Sequence, residues 1–258
     1  MADDVLVEQR DRILIITINR PAARNAIDAA VTSGVAAAMD QLDERKDLSI
    51  GILTGAGGTF CAGMDLKAFL RGEQVALPGR GLAGFTQAPP KKPLIAAVEG
   101  YALAGGFELA LACDLVVASD RSRFAEIFVR RGLSVDCGGS WILPRLVGLH
   151  RAKELCLTGD IIDASEAARI GLVNRLSPTE GLDEAVTELI SRLSQGAPLA
   201  QLLTKRLLNE GLQSTLEQAV NHEAMAQVDN LGSADAAEAR DAFRQRRPAS
   251  FTGAWPGR

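Results

Sequence analysis

Short apolar runs, each closed by glycine, proline or polar residues, recur through the first two thirds of the chain and predict strands. Ile13–Asn19 (ILIITIN) is rich in β-branched residues and stops at Arg20-Pro21. Ile50–Leu53, Leu94–Val98, Leu115–Ala118 and Val173–Leu176 read the same way. Helical segments lie between them. Asp28 is placed to cap an alanine-rich helix over Ala29–Leu42. Further helices are predicted over Gly106–Ala112, Ser140–Val147, His150–Thr158 and Ser165–Ile170. After these come Leu182–Ser194, Pro198–Gly211 and a strongly helical stretch, Ser214–Arg247, with no strand. Strands alternating with helices, then helices alone, mean an α/β core followed by a helical C-terminal segment. The stretch Arg71–Pro90 is rich in glycine and proline and has no period, so it reads as a loop or a broken helix.

Composition narrows this picture. The 258 residues suit one large α/β domain with an appendage. Hydrophobic residues make up 47% but aromatics only 4%, so the core has to be built from Ala, Val, Ile and Leu. The net charge of −4, from 28 basic and 32 acidic residues, leaves no basic surplus to neutralise phosphates, and no nucleic-acid partner is expected. Cys61, Cys113, Cys137 and Cys156 form no CxxC pair and no close Cys/His cluster. No metal site is therefore expected, and scattered thiols fit a reducing cytoplasm. The N-terminus, MADDVLVEQRDR, is too polar for a signal peptide, and no apolar run reaches the roughly 20 residues that span a bilayer, so no membrane partner is expected.

Two glycine-rich segments each follow a strand: Gly55–Leu66 (GAGGTFCAGMDL) and Glu99–Glu108 (EGYALAGGFE). Glycines there let the backbone approach a ligand and aim N–H groups at it, but either segment alone is equally a tight turn. Neither matches a P-loop or a dinucleotide fingerprint. In the second, Gly105-Gly106 stands where a helix begins and Glu108 lies in its first turn. Free N–H groups and the positive end of the helix dipole gather at such a place, which suits an oxyanion. Glu108 is also simply a favourable first-turn carboxylate.

Taken together, several strings resemble the crotonase (enoyl-CoA hydratase/isomerase) superfamily, nearly end to end and in order. They are NRPAARNAID, GGTFCAGMDLKAF, KKPLIAAVEGYALAGGFELALACDLVVAS, GLSVDCGGSWILPRLVGLHRAKEL, GDIIDASEAARIGLVN and AFRQRRPASF. The resemblance implies a spiral of ββα units over residues 1–197 and a helical trimerisation segment over 198–258. It implies an acyl-CoA substrate, with coenzyme A part of that substrate rather than a separate cofactor, and a homotrimer or homohexamer. It places two oxyanion-hole N–H donors on Ala62 and Gly105 and a proton-moving carboxylate on Glu108. Backbone around Ala62, Met64 and Leu66 would cradle the adenine end of CoA. Phe243 and Arg246 would reach a neighbouring subunit's CoA, and Arg24 and Lys67 are further phosphate candidates that ordinary surface ion pairs explain equally well.

The chain departs from the family's hydratases at one place. Their second glutamate position falls on Phe128, which cannot transfer a proton. Asp136, in GLSVDCGGSW, matches a catalytic Asp of several double-bond isomerases, and it reads equally as the N-cap of a helix starting near Gly138. Glu126, two residues before Phe128 and on the same face if extended, is a further candidate that reads first as a surface residue, while His150 and His222 read as structural and Cys61 as packed inward. The expected activity is hydration or double-bond migration of an enoyl-CoA through an enolate. Decarboxylation or thioester hydrolysis on the same scaffold, and acyl-CoA binding without catalysis, are the alternatives.

Overall fold

The apolar runs become the strands of one six-stranded sheet. In this computed structural model, which describes residues 3–253, the chain opens with β1 (Val5–Arg10), β2 (Ile13–Ile18), α1 (Ala29–Glu44), β3 (Ile50–Gly55) and α2 (Leu66–Leu70). It continues through β4 (Ala76–Leu77), β5 (Gly81–Leu82), β6 (Leu94–Val98), β7 (Tyr101–Leu103), α3 (Gly105–Ala112), β8 (Leu115–Ser119) and β9 (Arg123–Ala125). There follow α4 (Gly139–Val147), α5 (Leu149–Thr158), β10 (Ile162–Asp163), α6 (Ala164–Arg169), β11 (Arg175–Ser177) and α7 (Leu182–Ser194). The helices α8 (Pro198–Gly211), α9 (Leu216–Leu231) and α10 (Ala234–Gln245) close it. The last five positions of the predicted C-terminal segment lie outside the described residues.

The main sheet has the order β1-β2-β3-β6-β8-β11, parallel throughout except for the antiparallel β1–β2 hairpin. Its central strands are buried on both faces, as helix-covered parallel strands must be. Leu53, Leu94 and Ala96 join the larger core with Val31, Val35, Met39 and Leu42 of α1 and Phe107 and Leu109 of α3. Ile50, Ile52, Ile95 and Val117 face the other way, onto Leu182, Val186 and Leu189 of α7. Gly51 stays small because a Cβ there would lie 2.6 Å from a Leu42 methyl and 2.9 Å from one of Leu94.

A second sheet, β10-β9-β7, stands beside the first. Strand β6 belongs to the main sheet and β7, after Glu99-Gly100, to the second; β8 and β9 repeat the switch. Each strand pair leads on towards a helix, so the chain winds as ββα units. The predicted loop Arg71–Pro90 carries the small β4–β5 hairpin, and Leu82 at its end packs over Gly105, 2.5 Å from where a Cβ of that glycine would be. Residues Leu199 and Leu203 of α8 and Ala226 of α9 form a separate small apolar cluster. No helix among the described residues is long and apolar enough to cross a membrane.

The NRPAARNAID string is a structural clamp. Asn25, fully buried and in the left-handed region (φ 55°), donates through Nδ2 to the carbonyls of Ala56 (2.9 Å) and Thr59 (2.5 Å). Its Oδ1 accepts from the Arg20 N–H at 2.8 Å. Arg20 in turn pairs with Asp28 (2.9 Å) and Asp65 (3.1 Å), and these two carboxylates cap α1 and α2. Replacing Asn25 with Ala strands three part-buried backbone groups at once. Asn25→Ala should cost about 3 kcal/mol, roughly one per lost hydrogen bond, read as a fall in the urea midpoint; an unchanged midpoint would show the clamp to be dispensable.

Candidate active site

Residues 61–65 pass between two partners, and Gly63, at φ +93°, turns the backbone part-way along so that strict alternation does not hold. On one edge, Ala62 N–H donates to Arg24 C=O (3.0 Å), Ile27 N–H to Gly63 C=O (2.9 Å) and Asp65 N–H to Ile27 C=O (2.8 Å). On the other, Cys61 N–H donates to Tyr101 C=O (2.9 Å) and accepts, through its carbonyl, from Leu103 N–H (3.0 Å). Ile27 bonds the residues on either side of Met64, namely Gly63 and Asp65, so Met64's own N–H and C=O turn away from that edge. Its N–H meets no acceptor among the described residues, and it looks toward the start of α3. Ala62, the expected donor, is therefore corrected: its amide is spent on Arg24, on the wrong edge.

Gly105 is found where expected, as the first residue of α3, where an N–H has no partner within the helix. The residue before it, Ala104, holds φ 49° and ψ −125°, a conformation costly for a side-chain-bearing residue, and its own N–H is anchored on Ala125 C=O at 2.8 Å. The two loops touch closely. A Cβ on Gly63, itself at φ +93°, would lie 3.2 Å from the Gly105 nitrogen. A Cβ on Gly105 would be 3.8 Å from the Met64 nitrogen, and one on Gly106 would be 2.1 Å from the Cys61 carbonyl oxygen. The Met64 and Gly105 amides thus open on one gap at the positive end of α3.

Three carboxyl groups gather behind this gap. Glu108, on α3, is wholly buried; its Oε1 accepts the N–H of Cys137 and of Gly139, both at 3.0 Å. Burial pushes its pKa above the ordinary carboxylate range, and the two amides oppose that rise. Its Oε2 has no protein partner among the described residues. Asp136 is exposed, and Glu108, Asp136 and Cys137 each present an oxygen or sulphur atom within 4.8 Å of the others. Asp136 does not cap α4. Gly138 occupies the cap position without a side-chain bond, Glu108 binds the first free amides, and Asp136 Oδ1 accepts the Cys137 thiol at 3.2 Å.

The third carboxyl is Glu126, and here the surface reading is wrong. It follows β9 and caps the 3-10 turn Ile127–Arg131, with 0% of its surface exposed and neither oxygen partnered among the described residues. Burial first, then the Glu108 and Asp136 charges, raise its pKa to about 9. A Cβ on Gly139 would lie 2.7 Å from Glu108 Oε1 and 2.9 Å from Glu126 Oε1, which is why α4 begins with glycine. Phe128 is buried two residues further on, inside the 3-10 turn.

The remaining expected residues divide. Arg24, Met64, Leu66 and Lys67 cluster along the first loop, with Arg24, Leu66 and Lys67 exposed. Phe243 (85% exposed) and Arg246 sit at the end of α10, which packs on α9, and no hydrogen bond or ion pair among the described residues joins them to that loop. Cys61 is packed inward, its thiol pushed up to about 12 by burial. His150 is exposed near the start of α5, and His222 Nδ1 lies 3.5 Å from Glu210. Beside Cys137 a cavity of about 1070 Å³ opens, with walls that include Leu111, Trp141, Ile142 and Leu208.

Comparison with known proteins fits this geometry. The family model for enoyl-CoA hydratase/isomerase matches residues 8–254. The probable enoyl-CoA hydratase echA8 of Mycobacterium tuberculosis is 34% identical over 255 residues, covering 97% of this chain and 98% of the relative. The crotonyl-CoA hydratase of Syntrophomonas wolfei is 34% identical over 256 residues, covering 96% and 98%. Among solved structures, an enoyl-CoA hydratase from Mycobacterium tuberculosis H37Rv superposes with a TM-score of 0.95 at 52% identity, covering 98% of this chain and 100% of that one.

The Glu126 carboxyl generates a pH-dependent prediction. Its folded pKa lies above the ordinary 4.5, so the folded state holds the proton more tightly and loses stability as pH rises through that window. Glu126→Gln removes the titration. The variant should gain on the parent by up to about 1.4 kcal/mol per pH unit between roughly pH 5 and pH 9, measured by urea denaturation; a difference independent of pH would contradict the assignment.

Proposed function

The chain belongs to the enoyl-CoA hydratase/isomerase family, and from that premise we propose that it moves the double bond of an enoyl-CoA through a thioester enolate. The observation that carries this reading is that the Met64 and Gly105 amides, without partners among the described residues, lie on tightly packed backbone at the head of the helix that bears Glu108. A thioester oxygen seated there accepts two N–H groups and the field of α3, and those donors stabilise the charge that builds as a proton leaves the carbon skeleton.

Glu108 takes that proton. A buried carboxylate with raised proton affinity suits a group that must both accept and return it. Asp136, at the exposed mouth and close to Glu108, is the second carboxyl that reaches the substrate: it takes the proton on from Glu108 and delivers it to the far carbon, so both carboxyls end as they began. The position of the second hydratase glutamate carries Phe128, which favours migration over water addition. Water addition is the second reading, favoured by the relatives named as hydratases. The cavity beside Cys137 gives the acyl chain an apolar place to lie.

CoA itself would lie along Arg24, Met64, Leu66 and Lys67, with Phe243 and Arg246 supplied by a neighbouring copy in a trimer or hexamer. Exposed Leu216, Val220, Met225, Val228 and Leu231 on α9, continued by Phe243 on α10, support such self-association.

Assays of 3-enoyl-CoA isomerisation and of crotonyl-CoA hydration test the reading together. The isomerisation rate should exceed hydration and fall at least about 100-fold in Glu108→Gln, with Asp136→Asn also impaired. Absence of both activities, or full activity in Glu108→Gln, would overturn it.

A further inference from the structure

Glu126 is placed as no isolated structural carboxyl would be. Both its oxygens are sealed from solvent without a protein partner among the described residues, a costly arrangement for a charged group. The groups that face it are Glu108 from α3, Asp136 from the loop before α4, and Cys156 from α5, whose thiol is raised by burial first and then by the Glu126 and Glu108 charges. No ion pair joins a Lys, Arg or His to it among the described residues. Glu108 Oε1 and Glu126 Oε1 both crowd the same vacant spot over Gly139. Two carboxylates this close in a dry interior do not both ionise.

Hydrogen bonding decides which one keeps the proton. Glu108 accepts two backbone N–H groups at the start of α4, which stabilise its charge, whereas Glu126 accepts none. We propose that Glu108 and Glu126 form a pair sharing a single proton, which rests on Glu126 and keeps Glu108 the ionised member, ready to act as base. Glu126 is then a positioning residue: it acts through Glu108, whose Oε2 lacks a protein partner, and does not touch substrate. When Glu108 takes a proton from substrate, the electron pair of the broken C–H bond passes into the enolate and both carboxyls become neutral. The single-proton state returns when Glu108 gives its proton back. This rests on Glu108 being the proton carrier proposed above, but the pair itself can be seen without turnover.

Infrared titration of the full chain tests it. The parent protein should keep a protonated-carboxyl C=O band through neutral pH and lose it in the alkaline range. Glu126→Gln should lack that band at neutral pH, and Glu108→Gln should keep it but lose it at lower pH, because the neighbouring charge is gone. In kcat/KM profiles, Glu126→Gln should lose the alkaline limb that the parent shows. No band in the parent at neutral pH, a band that survives Glu126→Gln, or a titration unmoved by Glu108→Gln would each overturn the pair. The parent spectrum alone decides the first point even if a variant fails to fold, and a protein with the band but no turnover would refute the catalytic reading while leaving the pair intact.

Discussion

The approach of two backbone loops to van der Waals distance is the constraint on which the site depends. Segment 61–65 can lie against the turn before α3 only because Gly63, Gly105 and Gly106 carry no side chain. Were Gly106 any other residue, its Cβ would overlap the Cys61 carbonyl, and the Met64 and Gly105 amides could not share one gap. Strain is concentrated at the same place. Ala104 adopts a backbone conformation suited to glycine, held by its bond to Ala125, and leads directly into Gly105 at the head of α3. The Arg20–Asn25–Asp28–Asp65 clamp holds the opposite side of segment 61–65, so the loop is fixed from both edges.

Behind the amides the chemistry is set by an uneven supply of hydrogen bonds. Three carboxyls differ in nothing but length and surroundings. Asp136 faces solvent, Glu108 sits on the first amides of α4, and Glu126 sits on nothing. The proton affinities of Glu108 and Glu126 are both raised by burial, and only Glu108 has amides that oppose the rise, which is how one fold keeps a base and an acid side by side at the same pH. Phe128 at the position expected for a second glutamate therefore does not leave Glu108 alone in the proposed scheme. The pair is made with a residue two positions earlier in the chain.

Much of the architecture was legible in the sequence, for a physical reason. Strands β2, β3, β6 and β8 are continuous apolar runs because helices cover them, and Leu94–Val98 and Leu182–Ser194 were bounded to the residue. The strands β7, β9 and β10 were not seen: at two or three residues, they exist through pairing with distant segments, not through a local pattern. Strand β1 was hidden because it is an edge strand with five of its six residues exposed. In the site, the helix start marks Gly105-Gly106 and Glu108, and the family resemblance gives them their expected roles. The first amide was assigned to Ala62 because a motif gives residues but not edges. Only the bonds of segment 61–65 to Arg24 and Ile27 on one side, and to Tyr101 and Leu103 on the other, show that Met64 is the residue turned toward α3. Glu126 reads first as surface since composition makes a glutamate a surface residue by default, and its burial is decided by α3, α4 and α5 closing over it.

The central claim is that one oxygen is held by two amides from separate loops. A crystal structure with a saturated acyl-CoA, which binds without reacting, tests it most directly. The account predicts the thioester oxygen about 3 Å from both the Met64 and Gly105 nitrogens, with the Ala62 N–H still bonded to Arg24 and Glu108 facing the α-carbon. A thioester oxygen held by Ala62, or resting against neither amide, would contradict it.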